Sequence, residues 1–347
     1  MCSQAPPISP AWKSALIVQY TTVGLSVLTI PLYVLVITIL LQNLKCIKQN
    51  KAFFVFFLIN GFVDIVSILA NALGNSFPAW GLFLDFYLSH GTLVGKIYLV
   101  LMYWTRYSQG VNTLLLAFNR STAVLFPFRY GKIWSKRWVK VCIAIQLLFG
   151  VPVGILVACS DYFWRLDCSA PNLWDHLPYV QRAYSDSQVL VIIFSDARLK
   201  TIVLGVSFSA EVVFFLIIVC NYAFMVITLR RQRRRDTTVV THLSSLRRDA
   251  TIQRQKFMLL RMAVIICLLE LCYAVFGVVS VVGRMNSDQF HFFYNLVTTI
   301  YSSMGPYLMI CFSTTTRRLI RATFAPKQPL LYKASPPQPT ITSRSQR

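Results

Sequence analysis

Seven long apolar stretches alternate with polar, mostly basic segments along the 347 residues. They cover 18–41, 53–73, 93–118, 139–158, 202–229, 259–282 and 291–313. Each reaches the roughly 20 residues that a helix needs to cross a bilayer. Lipid offers the backbone no hydrogen-bond partners, so runs of this length must be helices; barrel strands would be shorter and would alternate. The pattern predicts an all-α membrane protein, a seven-transmembrane helix bundle over residues 1–324. A Pro/Ser/Thr-rich basic tail, 325–347, is expected to be disordered. Pro31, Pro152 and Pro306 fall inside the predicted helices and are expected to kink them.

Composition agrees with that reading: 56% of residues are hydrophobic and 13% charged, against about 25% charged in soluble domains. The formal net charge is +22. The basic residues cluster in alternate connections: Lys45, Lys48 and Lys51; Arg120 to Lys140; Arg230 to Arg261; and the tail from Arg317 to Arg347. Basic residues gather on the cytoplasmic side of membrane proteins, which places the amino terminus outside and the carboxyl terminus inside. The excess charge then suits anionic lipids rather than nucleic acid. Residues 233–256 read as basic extensions of the fifth and sixth helices. Met1 to Lys13 lacks a basic region leading into a short apolar core, so the first apolar run is expected to stay in the mature protein. The N-x-S/T match at Asn119 falls on the cytoplasmic side, where it is not glycosylated.

No zinc spacing, phosphate loop or dinucleotide fingerprint occurs, and neither a metal nor a cofactor is implied. Of nine Cys, five (Cys142, Cys159, Cys220, Cys267, Cys311) lie in or at the ends of apolar runs and read as small buried apolar residues. Cys159 and Cys168 can pair within the long outer connection from Cys159 to Thr201, on an oxidising face. That connection, rich in Trp, Tyr and Asp, can lie as a lid over the bundle mouth or stand as a plain solvated loop.

Ionisable groups within the membrane need a partner or a wet cavity. Four stand out: Asp64, Arg106, Glu211 and Glu270. Arg106 lies 14 residues above Arg120, roughly 21 Å, and Asp64 lies 13 above Lys51, roughly 20 Å. That shared depth makes Asp64 and Arg106 the expected ion pair, with Glu270 lower and Glu211 nearer the outer mouth; Glu211 can equally pair with Arg106. An outer cavity can draw its polar groups from Tyr103, Arg106, Glu211, Tyr273 and Tyr301. The alternative is that these aromatics face lipid or simply pack. His90, His176 and His242 lie in loops and His291 at a helix end, which gives an enzyme little to work with. A transporter or channel remains the alternative class, but the seven spans do not divide into halves and no repeat is visible.

The cytoplasmic end of the third helix reads Asn119-Arg120-Ser121-Thr122-Ala123-Val124-Leu125-Phe126-Pro127. It resembles the rhodopsin-like G-protein-coupled receptor signature of Asp/Glu-Arg-Tyr, then alanine, then proline; Arg120, Ala123 and Pro127 match, while Asn119 and Ser121 depart. With Ser303-Met304-Gly305-Pro306-Tyr307, Ser313 and Arg317-Arg318, the chain is similar to nematode serpentine chemoreceptors of the gamma superfamily, which includes the V class. The resemblance implies a chemosensory receptor in the plasma membrane, and in the ciliary membrane of sensory neurons. It detects an extracellular small molecule and signals to a heterotrimeric G protein. It also assigns coupling or switch roles to Arg120, Asn119, Pro127, Pro306 and Tyr307. Three departures stand out. No cysteine lies between Cys46 and Cys142 to bridge the third helix to the outer loop. Cys272 to Phe276 lacks the usual proline, and Gly305-Pro306 replaces Asn-Pro.

Overall fold

A computed structural model describes residues 10–44, 47, 51–79, 82–126, 128–159, 162–167, 189–194, 197–236, 261, 264–279 and 287–324. Each of the seven apolar stretches is helical there: α1 (Pro10–Asn43), α2 (Lys51–Asn71), α3 (Leu84–Leu125), α4 (Lys136–Ala158), α5 (Ala197–Asp236), α6 (Val264–Val279) and α7 (Ser287–Phe312). An eighth helix, α8 (Thr314–Phe324), follows α7 at once. The ends of the predicted sixth stretch, the tail from Ala325, Cys168 and Pro127 lie outside the described residues.

Among the described residues, four helical stretches are individually long and apolar enough to cross a membrane: Tyr20–Asn43, Lys51–Ser76, Lys136–Ala158 and Thr201–Arg231. The bundle is turned inside out relative to a soluble protein. Large apolar side chains such as Val27, Leu28, Phe62, Leu148, Ile155, Ile202 and Leu268 point outward. Polar ones collect inside, above all Thr105, Arg106, Ser108, Gln109, Asn112 and Thr113 along the buried face of α3. Lipid rewards the first arrangement and forces the second, because polar groups find partners only within the protein.

The same physics corrects the reading of the cysteines. Cys159, Cys220 and Cys311 are exposed, and Cys142 and Cys267 half-buried. Outward positions of a membrane helix are as apolar as its core, so hydropathy does not separate the two.

Helix α3 is the central post, packing on α2, α4 and α5, while α1 packs on α2, α7 and α8. One apolar cluster joins Tyr33, Val36 and Leu40 of α1 to Phe53, Phe54 and Phe57 of α2 and Met309 of α7. A second joins Ala117 to Ile218, Tyr222 and Met225 of α5. Helix α4 breaks at Phe149–Gly150, between Lys136–Leu148 and Val151–Ala158. Pro152 has no amide hydrogen to carry the ladder across that point. Pro31 and Pro306 lie inside continuous helices.

The connection between α4 and α5 contains an antiparallel ribbon, β1 (Tyr162–Asp167) on β2 (Val189–Phe194), with Tyr162 opposite Phe194 and Asp167 opposite Val189. It lies against α3 and the short turn Phe77–Ala79. This ribbon is an addition to the all-α expectation and leaves the bundle helical. At the other end, α5 continues as helix to Asp236, as its basic extension requires.

Candidate functional site

Arg106 is 4% exposed, Glu211 3% and Glu270 0%. They come from α3, α5 and α6, and they meet. The Arg106 Nη2 donates to Glu211 Oε2 and, at 3.3 Å, to Glu270 Oε2. Its guanidinium lies 3.7 Å from the ring centre of Tyr273 and 4.2 Å from that of Tyr301. Aromatic faces stabilise a cation taken out of water by about 2 kcal/mol when the contact is desolvated. Both ion pairs use the same nitrogen; Nε and Nη1 of Arg106 have no hydrogen-bond partner.

The expected pair of Arg106 with Asp64 does not form. Asp64 is instead held by neutral donors: Tyr33 at 2.5 Å, Asn60 at 2.7 Å and Gln109 at 2.7 Å. Sequence spacing fixes how deep a side chain lies, but not the direction in which it points around its helix. Arg106 reaches toward α5 and α6, while Gln109, one turn along, reaches α2. The alternative pairing of Arg106 with Glu211 is the one present.

The two clusters are joined. Tyr301 donates to Glu270 at 2.5 Å and lies 2.6 Å from the Thr113 hydroxyl. Thr113 donates to the Gln109 carbonyl at 3.0 Å. Gln109 also donates to Ser302 at 2.9 Å, and Ser302 to Ser67 at 3.2 Å. The Tyr33 hydroxyl, shared between Asp64 and the Ser302 carbonyl, occupies space that a side chain at residue 305 would fill. The Gly of the Gly305-Pro306 pair therefore has a steric reason. Tyr33, Gln109, Thr113 and Ser302 were missed in the sequence because they carry no charge. Their signal was available: Arg106, Gln109 and Thr113 recur at helical spacing within an apolar run.

Two cavities flank this chain of hydrogen bonds. The smaller, about 10 Å³ and so with room for about one water, is lined by Tyr103, Arg106, Tyr107, Phe208, Glu211 and Tyr273, among others. It gathers the predicted pocket residues except Tyr301, and their side chains turn inward rather than to lipid. Tyr301 instead lines the larger cavity, about 90 Å³, together with Asn60, Asp64, Asn112 and Arg120.

At the basic end, the Arg120 guanidinium lies 3.5 Å from the ring centre of Phe53. Among the described residues it has no carboxylate partner, because Asn119 stands where the motif's acid would be. Asn119 is tied instead to Tyr130 beyond the helix end, at 3.0 Å. Burial pushes the Tyr130 phenol above its ordinary range, against the opposing Asn119 hydrogen bond, so it stays protonated and able to donate at neutral pH. Trp134 donates to Thr122 at 2.7 Å and packs edge-on against Phe56, so the segment after α3 is clamped to the bundle. Pro306 is buried, and the Tyr307 hydroxyl meets Thr29 of α1 at 3.2 Å, which gives it a role in joining α7 to α1. Among the described residues no group of His, Cys, Asp and Glu forms a metal cluster.

A family model described as serpentine type 7TM GPCR chemoreceptor Srv matches residues 22–325. No curated protein matches the chain.

Proposed function

Because the chain belongs to the Srv family of serpentine seven-transmembrane chemoreceptors, and is thus a multi-pass membrane receptor rather than an enzyme, we propose that it detects an extracellular small molecule and signals to a cytoplasmic heterotrimeric G protein. The amino terminus faces outward and the basic connections face the cytosol, as the charge distribution favours. The receptor acts in the plasma membrane, in keeping with a sensory cilium.

One observation carries this reading. A continuous chain of polar contacts runs from the Arg106 cluster, beside the smaller cavity, through Glu270, Tyr301, Thr113 and Gln109 to Asp64. Asp64 and Arg120 line the same larger cavity. A ligand that binds one arrangement of the first cluster better than another shifts the population of the whole bundle. The far end of that bundle carries Arg120, held by a ring rather than by an ion pair, so a small rearrangement presents it to an acidic partner. The basic face around it also holds anionic lipids, at about 1 kcal/mol per residue near the surface.

The test is Arg120→Ala in cells carrying a G-protein reporter, challenged with volatile and water-soluble compounds. Surface expression should persist while the response to any activating compound falls to background. A full response from the variant would refute the coupling role. Substrate flux in proteoliposomes, without G-protein turnover, would favour a transporter.

A further inference from the structure

Arg120 carries a charge that no carboxylate answers among the described residues. Its guanidinium lies over the Phe53 ring and makes no hydrogen bond to any of them, although it carries five N–H donors. It is half-buried at the basic end of α3, where an unpaired charge is costly. Two further polar side chains share its cavity. Asn112, two turns along the same stripe of α3 and 1% exposed, leaves its Oδ1 without a partner. Tyr222 of α5, 8% exposed, makes no hydrogen bond among the described residues and stands near enough to interact with the Arg120 charge. The cavity, about 90 Å³, has room for several waters. Asp64 is the one acid among its described walls. It already accepts from three donors, at the level of Gln109, which is eleven residues and roughly 16 Å along α3 from Arg120.

We infer that the larger cavity binds a small inorganic anion of chloride size, held by the Arg120 guanidinium, the Tyr222 hydroxyl and the Asn112 amide nitrogen. The ion takes the place of the carboxylate that the motif would supply at residue 119. Water can solvate these donors but leaves the charge in place; an anion does both. The cavity admits a chloride with water around it and is too small for an anion such as gluconate. The bound ion occupies the N–H groups that an acidic partner would use, so it holds the receptor uncoupled and leaves before the G protein docks. This regulation rests on the coupling role proposed for Arg120.

The test titrates the full-length receptor, in nanodiscs of uncharged lipid, with sodium chloride balanced by sodium gluconate to constant ionic strength. Chloride should raise the unfolding temperature saturably, because a ligand stabilises the folded state by mass action, and bromide should do the same. Arg120→Gln should lose this dependence, whereas Arg318→Gln, on the exposed face of α8, should keep it. If Arg120→Gln fails to fold, Tyr222→Phe keeps the charge and should need roughly ten times more chloride, the scale of one hydrogen bond to a charged group. With G protein added, replacing chloride by gluconate should raise basal nucleotide exchange.

Equal unfolding temperatures in chloride and gluconate, or a chloride effect that Arg120→Gln and Tyr222→Phe leave undiminished, would overturn the proposal and leave the cavity to water alone. Saturable chloride binding with no effect on exchange would keep the ion and overturn its link to coupling. Exchange that depends on Arg120 but not on chloride, in a receptor that chloride does not stabilise, would overturn the ion and keep the coupling reading.

Discussion

Asp64 is a buried carboxylate held by a phenol and two amides, each from a different position in the bundle. A hydrogen bond to a charged group contributes about 1.5–3 kcal/mol. Tyr33→Phe should therefore lower stability by about that much, read as a fall in the thermal unfolding temperature. Gly305→Ala should be destabilising through the same hydroxyl, because its new Cβ would collide with it. The double variant supplies the sharper measurement. With the hydroxyl gone, the alanine loses its worst clash, so the two losses should fall short of additive. Strictly additive losses would mean that residue 305 acts elsewhere.

At the scale of the element, α4 shows how a helix break is accommodated inside a membrane. Pro152 interrupts the backbone ladder, and the Trp104 indole of α3 donates to the Leu147 carbonyl at 2.7 Å beside the break. The backbone of α3 passes so near that a Cβ at Gly150 would stand 2.7 Å from the Trp104 carbonyl oxygen. Backbone does not yield as a flexible side chain does. Gly150→Ala should cost about 1–3 kcal/mol, seen as a lower unfolding temperature and less monodisperse protein. Gly205→Ala is the matched control. It lies within α5 with nothing near its Cβ, and should be stabilising by up to about 1 kcal/mol through helix propensity alone. Equal effects at the two sites would exclude the close approach as the cause. The short α8 is the element that hydropathy passes over. Thr316 is buried, Leu319 packs on the α1–α2 cluster, and Arg318 and Arg321 face out, but eleven residues are too few to register as a span.

For the whole molecule, the decisive property is the inversion of polarity, with carboxylates and a guanidinium inside and leucines outside. In water such an object would expose its apolar surface and aggregate; in lipid each side chain is where its transfer free energy puts it. Seven crossings put the two ends on opposite faces. Tags at the amino and carboxyl termini should be labelled from opposite sides of intact cells, and labelling of both from one side would sink the topology.

The number of spans and their helical nature were legible in the sequence, because both follow from the transfer of side chains between water and lipid, one residue at a time. So was the family, since short motifs at the ends of α3 and α7 survive as strings. The list of intramembrane charges was legible too, but not their order in depth: Glu211 and Glu270, expected above and below Arg106, meet the same nitrogen of it. Nor were their partners. Whether Arg106 meets Asp64 or Glu211 depends on how each helix is rotated about its axis and on which neighbour it faces. The polar stripe of α3 marks the face that turns inward, but it does not say which helix each of its side chains meets. Only packing decided that Cys220 faces out, that Tyr33 enters the space Gly305 leaves open, and that one arginine stands between two glutamates.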